Sequence, residues 1–522
     1  MYSAPLRIGE KRDCRIAVAV IVISWVIPIS ILVNRIVPEP YMDEIFHVPQ
    51  AQQYCKGNFR SWDPMITTPP GLYFLSLAYI ASLFPGMHFL QELSSFSDIC
   101  STLVLRTTNA LLAVISSILV YEIITHLRPS LDDKKATLCA VILSLYPLHW
   151  FFTFLYYTDV ASLTAVLAMY LLVLKRKYLF SSLFGVLSVL IRQTNIIWML
   201  FVACVGVLEF IKIHQIDNVG VDDSRVSERK GAQSAHSEGV SSASNLRKRR
   251  FSTNMDSPNN FISQTAVSST PYPSGLLSEI QGIILKSWHL KWELLASFSP
   301  FFMVFVAFVA FVCWNGSIVL GAKDAHAVSP HFAQLMYYSL VSALFTFPVH
   351  FTLSQVAFRL RSFRENRLLT LFQWFIALTA AFLSVQFFSI AHPYLIADNR
   401  HYPFYLWRKI IRYHWSTKYL LVPLYTYSWF SIFSGLAKSQ QKIWTLAYFL
   451  ATAATLIPAP LIEFRYYTIP FFFLILHSHI NNNKSWLLMG TLYLVVNCFT
   501  MFMFLFRPFF WDHEAGTQRF IW

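Results

Sequence analysis

Apolar runs of about 20 residues recur from one end of this chain to the other, from 16–37 to 486–506. A run of that length crosses the hydrocarbon core of a bilayer as a helix. Inside lipid the peptide groups have no water to bond, so a chain with many such runs must satisfy them helically. The expected fold class is an all-α polytopic membrane protein. Composition agrees, with 55% hydrophobic and 13% charged residues among 522, where a soluble domain carries about 25% charge.

The net charge of +14 does not mark a nucleic-acid surface, because Lys and Arg sit mainly in short loops between apolar runs. There they set orientation across the bilayer. The seven cysteines are scattered without a CxxC pair, so neither a zinc site nor a disulfide framework is indicated. Cys55 and Cys100 both fall on the far face of the membrane, where an oxidising compartment would let them pair. The first apolar run is as long as a full span and lacks a small-residue cleavage site, so no cleavable signal is expected.

Arg7, Lys11, Arg12 and Arg15 precede the first run and place that end in the cytosol. The helix expected at 69–84 is short and ends at Pro85-Gly86. If it crossed fully, Arg128, Lys134 and Lys135, and later Lys175, Arg176 and Lys177, would lie on the far side. As a juxtamembrane or re-entrant helix it leaves both clusters cytosolic, which is the preferred reading. Residues 38–106 then form one large luminal loop. Three regions follow: an amino-terminal membrane module at 1–213, a Ser-, Asn- and Lys/Arg-rich cytosolic insertion expected to be disordered at 214–280, and a second membrane module at 281–522. An interfacial helix is expected over 282–295, with Trp288 and Trp292. Spans in both modules bring the total to about thirteen.

One charge cluster runs against this orientation. Arg400, Arg408, Lys409, Arg412 and Lys418 fall on the luminal side. They fit either the phosphate of a lipid-linked substrate or a helix lying on anionic headgroups.

Polar residues of chemical interest converge on that same face: Asp43, Glu44, His47, Asp63, Tyr157, Asp159, Arg192, Gln193, Asn195, Asp398, Arg400 and His401. Some have plain structural readings. Asp159 and Asn195 begin helices and are ordinary N-caps, Arg192 at a span end can snorkel, and His47 can bond backbone. The adjacent acids Asp43 and Glu44 are harder to place, since two carboxylates at a membrane face lose solvation unless they are used. Acids of this kind suit glycosyl transfer, a proton relay or a metal. There is no HExxH, DxD or clustered His/Cys set, so no metal is expected. No Gly-rich phosphate loop is present, so a soluble nucleotide donor is not expected. A donor already in the membrane, its phosphate held by arginines, fits better. A transporter or channel-associated protein is the competing class, but it calls for ionisable residues at mid-bilayer, and here the charge sits at one rim.

Several blocks resemble a known family: 41–47 (Tyr41-Met42-Asp43-Glu44-Ile45-Phe46-His47), 62–68 (Trp62-Asp63-Pro64-Met65-Ile66-Thr67-Thr68), 154–158, 192–196, 397–402 (Ala397-Asp398-Asn399-Arg400-His401-Tyr402), Glu463-Phe464-Arg465-Tyr466 and Arg519-Phe520-Ile521-Trp522. They are similar to the dolichyl-phosphate-glucose-dependent alpha-1,2-glucosyltransferases of the endoplasmic reticulum, in order along nearly the whole chain. After Gly321 the family often has Asp, and this chain has Ala322.

The resemblance implies a GT-C-type bundle, with the active site on the luminal face of the endoplasmic reticulum membrane. It implies inverting transfer of glucose from dolichyl phosphate glucose to a diglucosylated dolichyl-diphosphate oligosaccharide, without a cofactor. A sister enzyme with another sugar or linkage is the nearest alternative. On this reading Asp43 is the general base, with Glu44 as reserve base or sugar partner. Arg192, Arg400 and Arg465 hold the donor phosphate. His47, Trp62, Asp63, Tyr157, Asp159, Gln193, Asn195, Asp398, Asn399, His401 and Tyr402 line the sugar and acceptor sites.

Overall fold

The computed structural model describes residues 4–91, 99–232, 275–323, 328–512 and 514–522, and they are overwhelmingly helical. Asp324 and His326, in the loop after Gly321, lie outside them. Residues 1–206 with 292–522 form one compact unit and 207–291 a second.

In the larger unit the Thr158–Leu174 helix is buried along nearly its whole length and packs between Thr102–Leu127 and Tyr178–Ile191. Its Val, Leu and Met side chains fill the core, and its small polar groups bond backbone, as Thr164 Oγ1 does to Val160 O at 2.8 Å. The Thr102–Leu127 helix starts at Ser101, whose hydroxyl accepts from Val104 N. Its 26 residues rise about 39 Å, enough to cross a bilayer. Gly71 opens the Gly71–Gln91 helix against the backbone of Leu190 and Ile191, where a Cβ would come within 2.5 Å. A larger residue at that crossing would force the helices apart.

Among the described residues six helices are long and apolar enough to cross a membrane. Four shorter apolar helices accompany them: Gly71–Gly86, Thr158–Leu174, Tyr178–Ile191 and Ala333–Phe345. This is fewer than the hydropathy count, partly because expected spans are interrupted. The run at 136–152 divides into Asp133–Ser144 and Pro147–Phe152, since Pro147 supplies no N–H to continue the first helix. The run at 332–353 divides into Ala333–Phe345 and Phe347–His350. Lys291–Asn315 and Arg367–Phe387 bury little of their surface within the protein, as lipid-facing helices do.

The first loop packs into the core of the larger unit, Tyr41, Val48, Ala51, Tyr54 and Ile66 joining its buried apolar cluster. Glu44–Cys55 is a helix, and Cys55 is joined to Cys100 by a disulfide with Cα atoms 6.5 Å apart. At the other end of the chain, Phe509–Trp511 and Glu514–Gln518 form an antiparallel hairpin. The last residues then run beside 400–402: Ile521 N donates to Arg400 O at 2.9 Å and Tyr402 N to Ile521 O at 3.0 Å.

In the second unit the Asn195–Ala232 helix continues past His214, where the sequence reading begins the insertion, and residues 233–274 of that insertion lie outside the described chain. Leu276–His289 is a helix without a buried residue, and Leu277, Ile284, Leu285 and Trp288 are exposed. Such a face suits the bilayer surface.

Candidate active site

Asp43 directly precedes the Glu44–Cys55 helix, at the end of a turn whose middle residue, Met42, has φ of 56°. A left-handed non-glycine residue persists only where its surroundings hold it. Here Tyr157 does so, its hydroxyl accepting from Asp43 N at 3.2 Å and donating to Tyr41 O at 3.5 Å. The Tyr41 hydroxyl is fixed in turn by the final segment, accepting from Arg519 N and donating to Arg519 O, both at 2.7 Å.

The two neighbouring acids meet different fates. Glu44 is fully buried. It accepts from Arg106 Nε at 2.8 Å and Nη2 at 2.6 Å, from Tyr156 N at 2.5 Å and from Tyr41 N at 3.1 Å. Arg106 uses its other donors on Asn34, Val37 O and Glu39 O. This bidentate pair ties the first span, the loop and the Thr102–Leu127 helix together. Asp43 keeps 39% of its side chain exposed, and its Oδ2 lies 2.7 Å from Arg465 Nη1.

Arg465 is the hub of the cluster. It lies in the short 3-10 turn Phe464–Tyr467 and also bonds Glu463, with Asp159 Oδ2 3.9 Å away. Asp159 Oδ1 accepts from Arg192 Nη1 at 2.9 Å. Acids and arginines thus alternate: Asp43, Arg465, Asp159, Arg192. Tyr157 and Tyr466 lie against the two guanidiniums, each with ring centroid 5.8 Å from the arginine carbon. Burial pushes the Asp43 carboxyl up, but the Arg465 charge and hydrogen bond, joined by His47 and His401, together hold the group below its ordinary 3.8, so it is ionised at neutral pH. Arg465, Asp159, Arg192 and Tyr466 line a small open cleft together with Asn195, Trp198, Thr455 and Thr468, and Asp43 stands next to it through its bond to Arg465.

A second group gathers on the final segment. Arg400 forks onto Asp398, with Nε to Oδ1 at 2.9 Å and Nη2 to Oδ2 at 2.8 Å, and its Nη1 bonds Gln518 Oε1 at 2.9 Å. Its guanidinium also lies 4.6 Å from the Trp511 ring. Asn399 accepts from Trp511 Nε1, and His401 Nδ1 lies 3.2 Å from Trp522 O. The Tyr402 ring packs on Trp522, and its buried hydroxyl has no bond among the described residues. Burial raises the Asp398 carboxyl, but the Arg400 hydrogen bonds and charge together with His401 leave it below its usual range.

The remaining predicted residues stabilise the first loop. His47 Nδ1 meets the Tyr73 hydroxyl at 2.6 Å. Burial brings its pKa down to about 4, so the ring is neutral. Trp62 packs edge-on against Tyr73, and Asp63 Oδ1 caps Met65 N at 2.9 Å. Gln193 Nε2 bonds Thr67 O, the same carbonyl that accepts from Leu320 N. Gly321 touches Pro64 O so closely that a Cβ would lie 2.2 Å from it. Asn195 Nδ2 bonds Ser162 Oγ and Ser188 O, both at 2.8 Å, which joins two core helices rather than capping one.

Sequence reading passed over Arg106, Tyr41 and Glu463 as site residues. Arg106 carried a signal, since an arginine in the first turns of an apolar span needs a partner. Among the described residues no group of three His, Cys, Asp or Glu is disposed to hold a metal.

The model of the DIE2/ALG10 family matches residues 37–476. The chain is 60% identical over 511 residues to a protein of Arabidopsis thaliana named Dol-P-Glc:Glc(2)Man(9)GlcNAc(2)-PP-Dol alpha-1,2-glucosyltransferase, covering 97% of this chain and 100% of that one. Relatives of the same name in Mus musculus and Homo sapiens are 33% and 30% identical, each over 94% of both chains. No solved structure matches.

Proposed function

The chain belongs to the DIE2/ALG10 family, and we propose that it moves glucose from dolichyl phosphate glucose to Glc(2)Man(9)GlcNAc(2)-PP-dolichol at the cleft beside Asp43. It is a membrane glucosyltransferase, and the bond made is the alpha-1,2 linkage of N-glycan precursor assembly. The observation that carries the site is the chain of charges Asp43–Arg465–Asp159–Arg192, of which the last three line that cleft and Asp43 borders it through Arg465.

The acceptor hydroxyl attacks C1 of the donor glucose in line with the leaving phosphate. Its oxygen bonds C1, the C1–O bond to phosphate breaks with its electron pair going to the phosphate, and the hydroxyl proton passes to Asp43. A single displacement needs one base and no glycosyl-enzyme, unlike the two-carboxylate retaining scheme. Arg192 and Arg465 receive the negative charge that grows on the phosphate. In the free protein Arg465 is spent on Asp43, Asp159 and Glu463. Donor phosphate draws off part of that charge, and Asp43 becomes more basic as the reactants assemble. Glu44, closed off by Arg106, holds the turn that carries Asp43, and Arg400 holds the neighbouring loop through Asp398.

The luminal side of the endoplasmic reticulum membrane is the setting that fits. The Cys55–Cys100 disulfide supports it, because such a bond belongs to an oxidising compartment. The test is purified enzyme with synthetic dolichyl phosphate glucose and the diglucosylated lipid-linked acceptor. Asp43→Asn should lower kcat by about 10²–10⁴-fold, the usual range for a general base, with the fold intact. Turnover close to wild type in that variant would remove Asp43 from the mechanism.

A further inference from the structure

The basic segment 408–412 on the Asp43 face has no part in the transfer chemistry above. Its place in the fold is well defined. Trp407–Ile411 is a wide π turn closed by Arg412 N bonding Trp407 O at 2.8 Å. Phe404 and Trp407 anchor it inward and are buried. Arg408, Lys409 and Arg412 are exposed, as are Tyr413 and Trp415, at 78% and 74%. Arg408 and Arg412 are four residues apart on one helical turn and so share a side, with Lys409 beside them. None of the three makes an ion pair among the described residues.

The segment also adjoins the end of a helix long and apolar enough to cross a membrane. Just after it, Lys418 Nζ and the Tyr419 hydroxyl both bond Gln386, one residue from the end of the lipid-facing Arg367–Phe387 helix. Just before it, 400–402 pair with the final segment that clamps Tyr41. Three cations without a carboxylate partner among the described residues, Arg408 resting over the Phe404 ring at 5.7 Å, with exposed Trp and Tyr beside them, are complementary to a membrane-anchored phosphate. The orientation rule disfavours cations on this face, so their presence calls for a ligand.

We propose that Arg408, Lys409 and Arg412 hold the diphosphate of the lipid-linked acceptor, with Tyr413 and Trp415 seated among the surrounding headgroups. This rests on the transfer reading above. The donor phosphate is the leaving group and must lie in the cleft with Arg192 and Arg465. The acceptor reacts at its glucose end, whereas its diphosphate stands at the opposite end, next to the dolichol. A second phosphate site, away from Asp43 and level with the membrane surface, is therefore required. Three cations suit two linked phosphates better than one.

The test uses the full-length protein in nanodiscs of phosphatidylcholine, with a sugar-free polyprenyl diphosphate as the binding probe. The variant is Arg408→Gln/Lys409→Gln/Arg412→Gln. Each exposed charge contact is worth about threefold, so the probe should bind about thirtyfold more weakly. The KM for the lipid-linked acceptor should rise by a similar factor, with kcat within about twofold and the donor KM unchanged. Arg408→Lys/Arg412→Lys, which keeps the charges, should recover most of the affinity and shows that loss is not misfolding. Unchanged probe binding would overturn the proposal. So would a difference seen only when phosphatidylserine is added, since that marks the segment as a headgroup anchor. The binding arm needs no turnover: an enzyme inactive on every acceptor would defeat the transfer reading, while probe binding would still decide this one.

Discussion

Glu44→Gln tests the division of labour between the two neighbouring acids. Glu44 accepts four hydrogen bonds in a site without solvent, two of them from Arg106, whose side chain is only 2% exposed. Gln keeps the volume but removes the charge and turns one acceptor oxygen into a donor. In either orientation that NH₂ faces Arg106, together with Tyr156 N or Tyr41 N, and all of these are donors. Breaking a buried pair from one side costs about 3–5 kcal/mol, because the surviving charge stays buried. The loss should appear as a much shorter half-life on heating in nanodiscs, with a lower yield of folded protein. The molecules that do fold should keep turnover within about tenfold of wild type, since Glu44 does not face the cleft. The double variant Glu44→Gln/Arg106→Gln should be more stable than Glu44→Gln alone by about 1–2 kcal/mol, the mark of direct coupling. A Glu44→Gln protein with wild-type stability and no transfer would refute the argument and move the base one residue along.

Two further outcomes follow from the first loop. The disulfide closes a 45-residue separation, so Cys55→Ser/Cys100→Ser should destabilise the fold by about 4 kcal/mol on the chain-entropy account, with reductant producing the same shift in wild type. Wild type that does not respond to reductant and is as stable as the double variant would mean the pair is not bonded. His47 has a folded pKa of about 4 against 6.5 when unfolded. The unfolded chain therefore binds the extra proton first, and stability that is full above pH 6.5 falls as the pH drops toward 4. Between pH 7 and 5 the loss comes to about 2 kcal/mol. His47→Gln, which has no such proton to gain, should show a pH slope shallower by that amount, and an equal slope in the two proteins would exclude His47 as its source. The groups facing His47 include Asp43, Arg465, Arg192 and Asp159. Asp43 itself titrates below 3.8, outside this window.

The membrane class and the far-face loop were legible because both are written in contiguous sequence: apolar runs for the first, a dense patch of acids, prolines and aromatics for the second. What sequence reading could not order was the partnership of charges. Asp43 and Arg465 are 422 residues apart, and Glu44 and Arg106 are 62 apart. Nothing in either stretch says which acid takes which arginine. The turn decides it. Successive residues at a helix start point about 100° apart, so with Glu44 directed inward to Arg106, Asp43 must look elsewhere, and it meets Arg465. The same constraint explains Arg400, which the sequence offers as a phosphate ligand. It stands two residues from Asp398, within reach of a bidentate fork, and the local carboxylate fills it before any substrate arrives. Asp159 and Arg192 read as a cap and a snorkelling charge for a similar reason, since each is ordinary beside its own neighbours. Only packing of the Thr158–Leu174 and Tyr178–Ile191 helices brings the two within 2.9 Å. Arg465 also has a local carboxylate, Glu463, but it adds Asp43 and Asp159 from distant segments, and those two contacts can yield to a competing anion without unfolding its own turn.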